Sequence, residues 1–444
     1  MPRTARRVPL AQTIRDWVEV ALVKAEYAVP IRKQVALLVS GLVAGEAATV
    51  SGLSRTLVQQ GVSTAQEPSI ARRLLRLLTV SRFDPDQLLP AIFRHYLPEL
   101  LSGLVAAHTA NEGCRPAQHA RFRPVRLVVD ESSQADAVHL LVVGLWYQGM
   151  VLPLAVRVWP QNKPLATGDY WAALGGMFWE IYDLLPPDLR DHVLLLADRG
   201  YTYPRFVDLM NSLGWAWVLR STGQVRVQLA EGDVRTLREL VPAVGCHWDC
   251  SSMLPDQAVE GEPLAIFKKA GWRRCYLVGL WLPGQAEPWL LLTNLPATSE
   301  RLVEYAQRWA IERLFLTWKS HGWQLEAGRV RDAARVGRLV SGLILATWWR
   351  VACAQPVVRA ELNRLAGRNS HRRPRQQPSP SAELQASRDR RPWAAKFSLL
   401  SWGRKAIQAT DCRRTTPALD WTFPDWDNQT PWPRRFELAA QAST

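Results

Sequence analysis

The sequence contains little cysteine and no long apolar run. The six cysteines of this 444-residue chain lie at scattered positions, which argues against a disulfide framework and for a reducing compartment. The longest apolar stretches, such as residues 339–349, are shorter than the roughly 20 residues of a membrane-spanning helix. No apolar signal core follows the basic residues 1–7. These absences predict a soluble protein of the cytoplasm.

Acidic residues are too few to balance the basic ones. The chain has 55 Lys and Arg against 40 Asp and Glu, which gives a formal net charge of +15. A surplus of this size usually meets a polyanion, and nucleic acid is the commonest one, although an Arg-rich or ribosome-associated protein would share it. Hydrophobic residues make up 48% of the chain, enough for a sizeable core, and the length favours roughly two or three domains.

Residues 1–120 predict a helical N-terminal domain that binds DNA. Apolar residues recur there at three- and four-residue spacings. The predicted helices cover residues 14–29, 31–43, 49–58 and 69–78. Arg72, Arg73 and Arg76 fall on one face of the last helix, which a helix-turn-helix would place in a DNA groove. A solvated amphipathic helix would show the same pattern, so both interpretations stay open.

From residue 121 the pattern changes to strands that alternate with helices. Strands are predicted at 124–130, 138–146, 151–159, 192–198 and 215–220, and helices at 171–185 and 205–213. Three meandering strands, a helix, a strand, a helix and a strand are the element order of the ribonuclease-H-like α/β fold with a mixed sheet. Other mixed sheets share parts of this order.

The remaining segments complete the predicted domain organisation. Residues 221–297 carry further short strands and predict a β-rich subdomain inserted into the core. Helices at 299–323 and 333–352 return to the core, so that residues 121–220 and 298–353 together form the predicted catalytic unit. Residues 354–444 are predicted to be a basic linker and a C-terminal region.

Two carboxylates stand at the ends of predicted strands. Asp130 ends the first strand and Asp198 ends the fourth, and in a sheet of this order the two strands are neighbours. Facing carboxylates repel unless a cation lies between them, so the pair suggests a divalent metal site. Each aspartate alone would equally serve as a turn former or a helix N-cap.

A third carboxylate belongs to a polar stripe on the helix predicted at 299–323. Tyr305, Arg308, Glu312 and Lys319 fall within an arc of about 60° on a regular helix. Glu312 would supply a metal ligand, and the other three side chains have the chemistry to reach phosphates. A solvated face of mixed charge would produce the same stripe.

Taken together, these residues resemble the motifs of a known enzyme family. Tyr305-x2-Arg308-x3-Glu312-x6-Lys319 is similar to the YREK signature of bacterial insertion-sequence-4-type DDE transposases. Val-Val-Asp130-Glu-Ser-Ser and Leu-Ala-Asp198-Arg-Gly-Tyr resemble the family's first and second acidic motifs. The resemblance covers about residues 120–350. At the first motif this chain has Glu-Ser where family members often have a second Asp or an Arg followed by Thr.

The resemblance implies a cut-and-paste DNA transposase. Asp130, Asp198 and Glu312 would hold a pair of Mg²⁺ ions, with Mn²⁺ as a substitute, for cleavage and strand transfer. Trp289 would support a flipped base during hairpin formation, and Arg220 would contact DNA. The implied partners are transposon terminal inverted repeats, target DNA of the bacterial nucleoid and a second protomer bound to the same DNA.

Two other functions remain open at this point. Another ribonuclease-H-like nuclease, for example a junction resolvase, would share the carboxylates without needing the Tyr, Arg and Lys stripe. A non-catalytic DNA-binding protein derived from a transposase would retain the motifs and bind DNA without cleaving it.

Overall fold

A computed structural model gives the arrangement of most of the chain. It describes residues 8–103, 125–230, 232–248, 263–268, 271–298, 300–370, 399–411 and 413–421. The basic linker predicted after residue 370 and most of the C-terminal region lie outside the described residues. Within the described ranges, no helix is both long and apolar enough to cross a membrane.

Amphipathic helices form the first hundred residues, as the apolar spacing predicts. They are α1 (Leu10–Lys24), α2 (Val29–Ala44), α3 (Val50–Gln59), α4 (Glu67–Thr79) and α5 (Pro85–Leu100). Local signals set where they begin: the Thr49 hydroxyl accepts a hydrogen bond of 3.0 Å from the Gly52 N–H at the start of α3. Prolines occupy the first turns of α2, α4 and α5, where no backbone donor is lost. The apolar face of each helix is buried.

The central α/β segment has the predicted element order. It contains β1 (Val125–Gln134), β2 (Val138–Tyr147), β3 (Met150–Pro160), α6 (Thr167–Leu184), β4 (Val193–Ala197), α7 (Pro204–Ser212) and β5 (Ala216–Arg220). Gln148 and Gly149 join β2 to β3 with φ values of 51° and 77°, the left-handed pair that a tight hairpin turn requires. β1 and β4 are parallel neighbours, and so are β4 and β5. The mixed sheet and the adjacency of the first and fourth strands are therefore as predicted.

Residues 221–297 continue this sheet. The elements are β6 (Arg226–Ala230), β7 (Asp233–Thr236), α8 (Leu237–Leu240), β8 (His247–Trp248), β9 (Leu264–Ile266), β10 (Arg273–Leu280) and β11 (Trp289–Thr293). Because β11 pairs antiparallel with β5, the described strands form one path in the order β3-β2-β1-β4-β5-β11-β10-β9-β6-β7, with β8 on β10. The segment predicted as a β-rich insertion is thus hydrogen-bonded directly to the core.

The helices after residue 298 differ from the prediction. They are α9 (Glu300–Ala306), α10 (Trp309–Leu316), a π-helical turn (Thr317–His321), a 3₁₀ turn (Leu325–Gly328), α11 (Ala333–Ser370) and α12 (Leu399–Gln408). The single helix predicted at 299–323 is wrong, because the chain tightens between α9 and α10, where the Arg308 N–H bonds the Tyr305 carbonyl at 2.9 Å. The end predicted near residue 352 is also wrong, since α11 continues through Pro356 to Ser370.

A buried arginine joins the N-terminal helices to the core. Arg350 of α11 is 2% exposed, and its guanidinium donates to the carbonyls of Leu42 at 3.1 Å and Val43 at 3.2 Å and also to that of Gly45. These carbonyls end α2, where a cation complements the helix dipole. The guanidinium also lies 4.1 Å from the ring centre of Trp323. We call Arg350, Trp323 and the carbonyls at the end of α2 the helix latch.

Candidate active site

Two neighbouring strands place the two predicted aspartates at one level of the sheet. Val129 of β1 pairs in register with Ala197 of β4, so the next residue on each strand path is Asp130 or Asp198. Asp198 follows the end of β4 and accepts a hydrogen bond of 2.7 Å from the Arg199 N–H, which fixes the turn. Asp130 does not end its strand as predicted, because β1 continues to Gln134 in its pairing with β2.

Glu312 approaches these aspartates from α10. It lies in the first turn of that helix, one turn after Arg308 at the helix start. The tightening between α9 and α10 turns Arg308 inward, and only 4% of its side chain is exposed. The geometry of Glu312 relative to the sheet is therefore set by this turn and not by a regular helix.

The guanidinium of Arg308 brings the three carboxylates together. It donates to Asp130 Oδ2 at 2.9 Å, lies 3.9 Å from Asp198 Oδ2 and donates to Glu312 Oε1. Tyr305 adds a hydrogen bond of 3.3 Å from its hydroxyl to Asp198 Oδ1. Asp130, Asp198 and Glu312 therefore all contact Arg308, and Tyr305 joins the cluster through Asp198.

Burial perturbs the charges in this cluster. Desolvation raises the pKa of Asp130 to about 6, although the charge of Arg308 works in the opposite direction; the charge of Asp198 adds to the rise. Burial acts to lower the pKa of Arg308, but Tyr305 and the three carboxylates outweigh it and raise that pKa. The cluster therefore needs positive charge, and in this arrangement Arg308 supplies it.

The donor chemistry of the cluster fits a divalent metal. Asp130, Asp198 and Glu312 offer hard carboxylate oxygens, which Mg²⁺ and Mn²⁺ prefer. Among the described residues, however, no group of three or more His, Cys, Asp or Glu side chains is already arranged around a common metal position. The Arg308 guanidinium lies among the carboxylates, so metal binding would need it to share or leave that space.

Tyr170 and Glu131 form a neighbouring contact that the sequence did not reveal. The Tyr170 hydroxyl at the start of α6 donates to Glu131 Oε1, and this carboxylate follows Asp130 on β1. Burial and this hydrogen bond raise the pKa of Tyr170. Tyr201, after Asp198, is fully buried close by, and burial raises its pKa well above the ordinary value. The spacing of Tyr170 from Glu131 offers no local pattern, so the contact is visible only in three dimensions.

The other predicted residues lie around this cluster or away from it. Trp289 on β11 is 7% exposed, and its ring packs edge-on against Tyr305 with 5.3 Å between centroids. Arg220 at the end of β5 lies 3.9 Å from Glu287. Lys319 lies in the π-helical turn, with its Nζ 3.9 Å from Glu326 Oε1, and it is not part of the carboxylate cluster around Arg308.

The three arginines predicted for DNA contact lie on α4. Arg72, Arg73 and Arg76 are all exposed, and none forms an ion pair with another described residue. They belong to the N-terminal helices and contribute nothing to the carboxylate cluster.

Comparison with known proteins identifies the segment that carries most of this cluster. Residues 177–349 match the family model of the transposase DDE domain. The match supports a transposase function for the protein. The DDE-domain match includes Asp198, Arg308 and Glu312, whereas Asp130 lies before it. No curated protein matches the chain.

Proposed function

We propose that this protein is an insertion-sequence-4-type DDE transposase that cleaves the ends of a transposon and joins them to target DNA. The observation that carries the proposal is the convergence of Asp130, Asp198 and Glu312 on Arg308 from β1, β4 and α10. The match of residues 177–349 to the transposase DDE domain supports the same function. The net charge of +15 suits a DNA substrate.

In this proposal the three carboxylates hold the divalent metal. Mg²⁺ bound there would supply activation of a water or 3′-hydroxyl nucleophile and stabilisation of the leaving oxygen. Arg308 holds the carboxylates in place before the metal binds and contacts a DNA phosphate once its contacts with them loosen. Tyr305 keeps Asp198 oriented through its hydroxyl. Asp130 is partly desolvated by burial. Its carboxylate therefore binds a cation more strongly than an exposed aspartate would, because charges attract more strongly where less water surrounds them.

We propose that cleavage and joining follow one another at this site. Strand nicking comes first, and the freed 3′-hydroxyl then attacks the opposite strand in a hairpin step or the target DNA. Trp289 would support an unpaired base beside Tyr305, and Lys319 and Arg220 would contact backbone phosphates. Two protomers would act together on paired transposon ends, on DNA of the bacterial nucleoid.

The test uses as substrate a duplex of the DNA that flanks the gene, where this function requires terminal inverted repeats. Purified protein is incubated with such a duplex in Mg²⁺ or in chelator, and nicked, hairpin and joined products are separated on denaturing gels. We expect Asp130→Asn, Asp198→Asn and Glu312→Gln to abolish nicking and still bind the duplex. The matched control is Asp136→Asn, at an exposed left-handed turn position that asparagine also tolerates.

Each alternative function has its own outcome in this assay. Cleavage of branched DNA without joining would show a ribonuclease-H-like nuclease in place of a transposase. Duplex binding by the wild-type protein without any metal-dependent nicking would show a non-catalytic protein derived from one. Normal nicking by any of the three site variants would contradict the site assignment.

A further inference from the structure

A groove outside the carboxylate cluster lies between the N-terminal helices and the loop after α10. It has a volume of about 650 Å³. One wall comes from the start of α3 and from α4, including Thr49, Ala71 and Leu75, and the other from the loop residues Gly328 and Val330. The groove is therefore shared by the N-terminal helices and the segment that follows the candidate active site.

Backbone contacts hold the two walls in place. The Ala48 N–H donates to the Trp323 carbonyl at 2.5 Å, which ties the loop to the start of α3. A Cβ added to Gly328 would lie 3.8 Å from Thr49 Cγ2, so the gap between the loop and this wall is only about one methyl group wide there. The groove is thus a feature of the folded chain and not a gap between separate parts.

Arginines stand beside the lining residues of the α4 wall. Arg72 follows Ala71 and Arg76 follows Leu75, so each side chain lies about 100° further around the helix than a lining residue. Both are exposed, and neither pairs with an acidic group in the described chain.

The loop wall repeats this arrangement. Arg329 lies between the lining residues Gly328 and Val330, and Arg331 follows Val330. Both are exposed, and neither has an acidic partner among the residues that the structure describes. Some arginines elsewhere in the chain are engaged internally: Arg157, for example, forms ion pairs with Asp86 and Glu180. Unpaired arginines on both walls therefore mark this groove as a site for external negative charge.

The acidic groups near the groove do not cancel this charge. Glu67 lines it, and Asp332 lies just beyond Arg331, where its Oδ1 accepts a hydrogen bond from the Arg335 N–H. Glu326 is turned towards Lys319, with 3.9 Å between Oε1 and Nζ. The four arginines therefore outnumber Glu67 and Asp332 beside the groove.

We propose that this groove binds the sugar-phosphate backbone of duplex DNA, held by Arg72 and Arg76 on one wall and by Arg329 and Arg331 on the other. The inference rests on the proposed function and extends the DNA-binding surface from α4 to the loop after the candidate active site. No aromatic residue is among the lining residues, so the stacking platform typical of single-strand binding is missing from it. Apolar lining residues such as Leu75 and Val330 would pack against the sugars.

The experiment measures how the affinity for duplex DNA depends on salt. The probe is a fluorescent duplex of about 20 base pairs of mixed sequence, titrated by anisotropy across a range of NaCl concentrations. The loop variant is Arg329→Gln with Arg331→Gln, and the helix variant is Arg72→Gln with Arg76→Gln. The matched control, Arg15→Gln with Arg414→Gln, removes the same charge from exposed positions that do not line the groove.

We expect each groove variant to reduce the slope of log Kd against log salt by about 1.8, or about 0.9 per lost phosphate contact. In the four-residue variant the slope should fall by the sum of the two reductions, because both walls contact the same duplex. The control pair should keep the wild-type slope. Urea midpoints equal to wild type would establish that the variants are folded.

A loop variant with the slope of the control pair would overturn the groove proposal while leaving the proposed function intact. The same holds for a loop variant that weakens binding equally at every salt concentration. A wild-type protein that binds no duplex at all would instead refute the proposed function, and the groove proposal with it.

Discussion

Replacing Arg308 with methionine tests the geometry on which the candidate site depends. The methionine keeps an unbranched apolar stem of similar reach and removes the charge and all the donors. Asp130 then loses its hydrogen bond of 2.9 Å, and Asp198 and Glu312 lose the cation they share. Because the guanidinium is almost fully buried, water cannot replace it without opening the turn between α9 and α10.

The expected loss of stability is large for a single substitution. Removing one partner of a buried ion pair typically costs about 3–5 kcal/mol, because the remaining charge is left without compensation. A pair about 4 Å apart at an effective dielectric constant of about 20 is worth about 4 kcal/mol, which agrees in size. We therefore expect Arg308→Met to reduce the free energy of unfolding by about 3–5 kcal/mol at pH 8 in chelator.

The loss should shrink as the pH is lowered. The folded-state pKa of Asp130 is about 6, above its ordinary value of 3.8, and removing Arg308 raises it further. A carboxyl with a raised folded pKa destabilises the fold when ionised, so its cost is present above the folded pKa and disappears as the pH falls towards the unfolded value. At pH 5 the variant should accordingly recover part of its stability relative to wild type.

Urea unfolding at pH 8 and pH 5, each with chelator and with Mg²⁺, measures both effects. Mg²⁺ should stabilise Arg308→Met more than wild type, since it takes the place of the lost positive charge. The control is Arg273→Met, which breaks contacts of 2.7 Å and 2.9 Å to Asp208 at the surface and should leave the midpoint unchanged. An Arg308→Met protein as stable as wild type at pH 8, or equally destabilised at both pH values, would refute the reasoning.

Three further predictions concern the same core. Asp130→Asn should stabilise the metal-free protein by about 2–3 kcal/mol above pH 6 and leave its stability unchanged near pH 4. Burial raises the pKa of Asp130 from 3.8 to about 6, and each pKa unit corresponds to about 1.4 kcal/mol of destabilisation that the neutral asparagine removes. Urea unfolding in chelator measures this difference. Gly403→Ala should lower the thermal midpoint strongly, since the new Cβ would lie 1.8 Å from the Arg350 carbonyl oxygen, whereas Gly176→Ala, with open space, should raise it slightly. Arg350→Met should cost about 3 kcal/mol or more in urea unfolding at neutral pH, because the end of α2 loses its donors; an unchanged midpoint would contradict the role of the helix latch.

The element order of the core could be predicted from sequence because it depends on local periodicity. The runs that end near Asp130 and Asp198 are short and apolar, and strands of this kind pair side by side in a mixed sheet. The pairing of β11 with β5 could not be predicted, since it joins residues about seventy positions apart and leaves no local pattern. The sequence therefore predicts an inserted β-rich subdomain without indicating which core strand it pairs with.

The central position of Arg308 was only partly accessible from sequence. The spacing of four residues to Glu312 predicts that these two side chains meet. The contacts to Asp130 and Asp198 depend on the tightened turn between α9 and α10, which no proline or glycine announces. Tertiary packing of the buried Tyr305 and Arg308 overrides the helical continuity that the apolar spacing favours.

The helix latch has a consequence for the movement of the whole molecule. Burial lowers the pKa of Arg350 to about 9, so its side chain is still a cation at neutral pH, and the carbonyls that accept its hydrogen bonds belong to a helix some three hundred residues away in the chain. Removing the first helices would leave the Arg350 guanidinium without its hydrogen-bond acceptors. The remaining chain should therefore not fold on its own. Because Arg338 of α11 also donates to the Leu78 carbonyl of α4, the arginines of α4 keep a fixed position relative to the core, and DNA bound there as proposed would have to fit that fixed geometry.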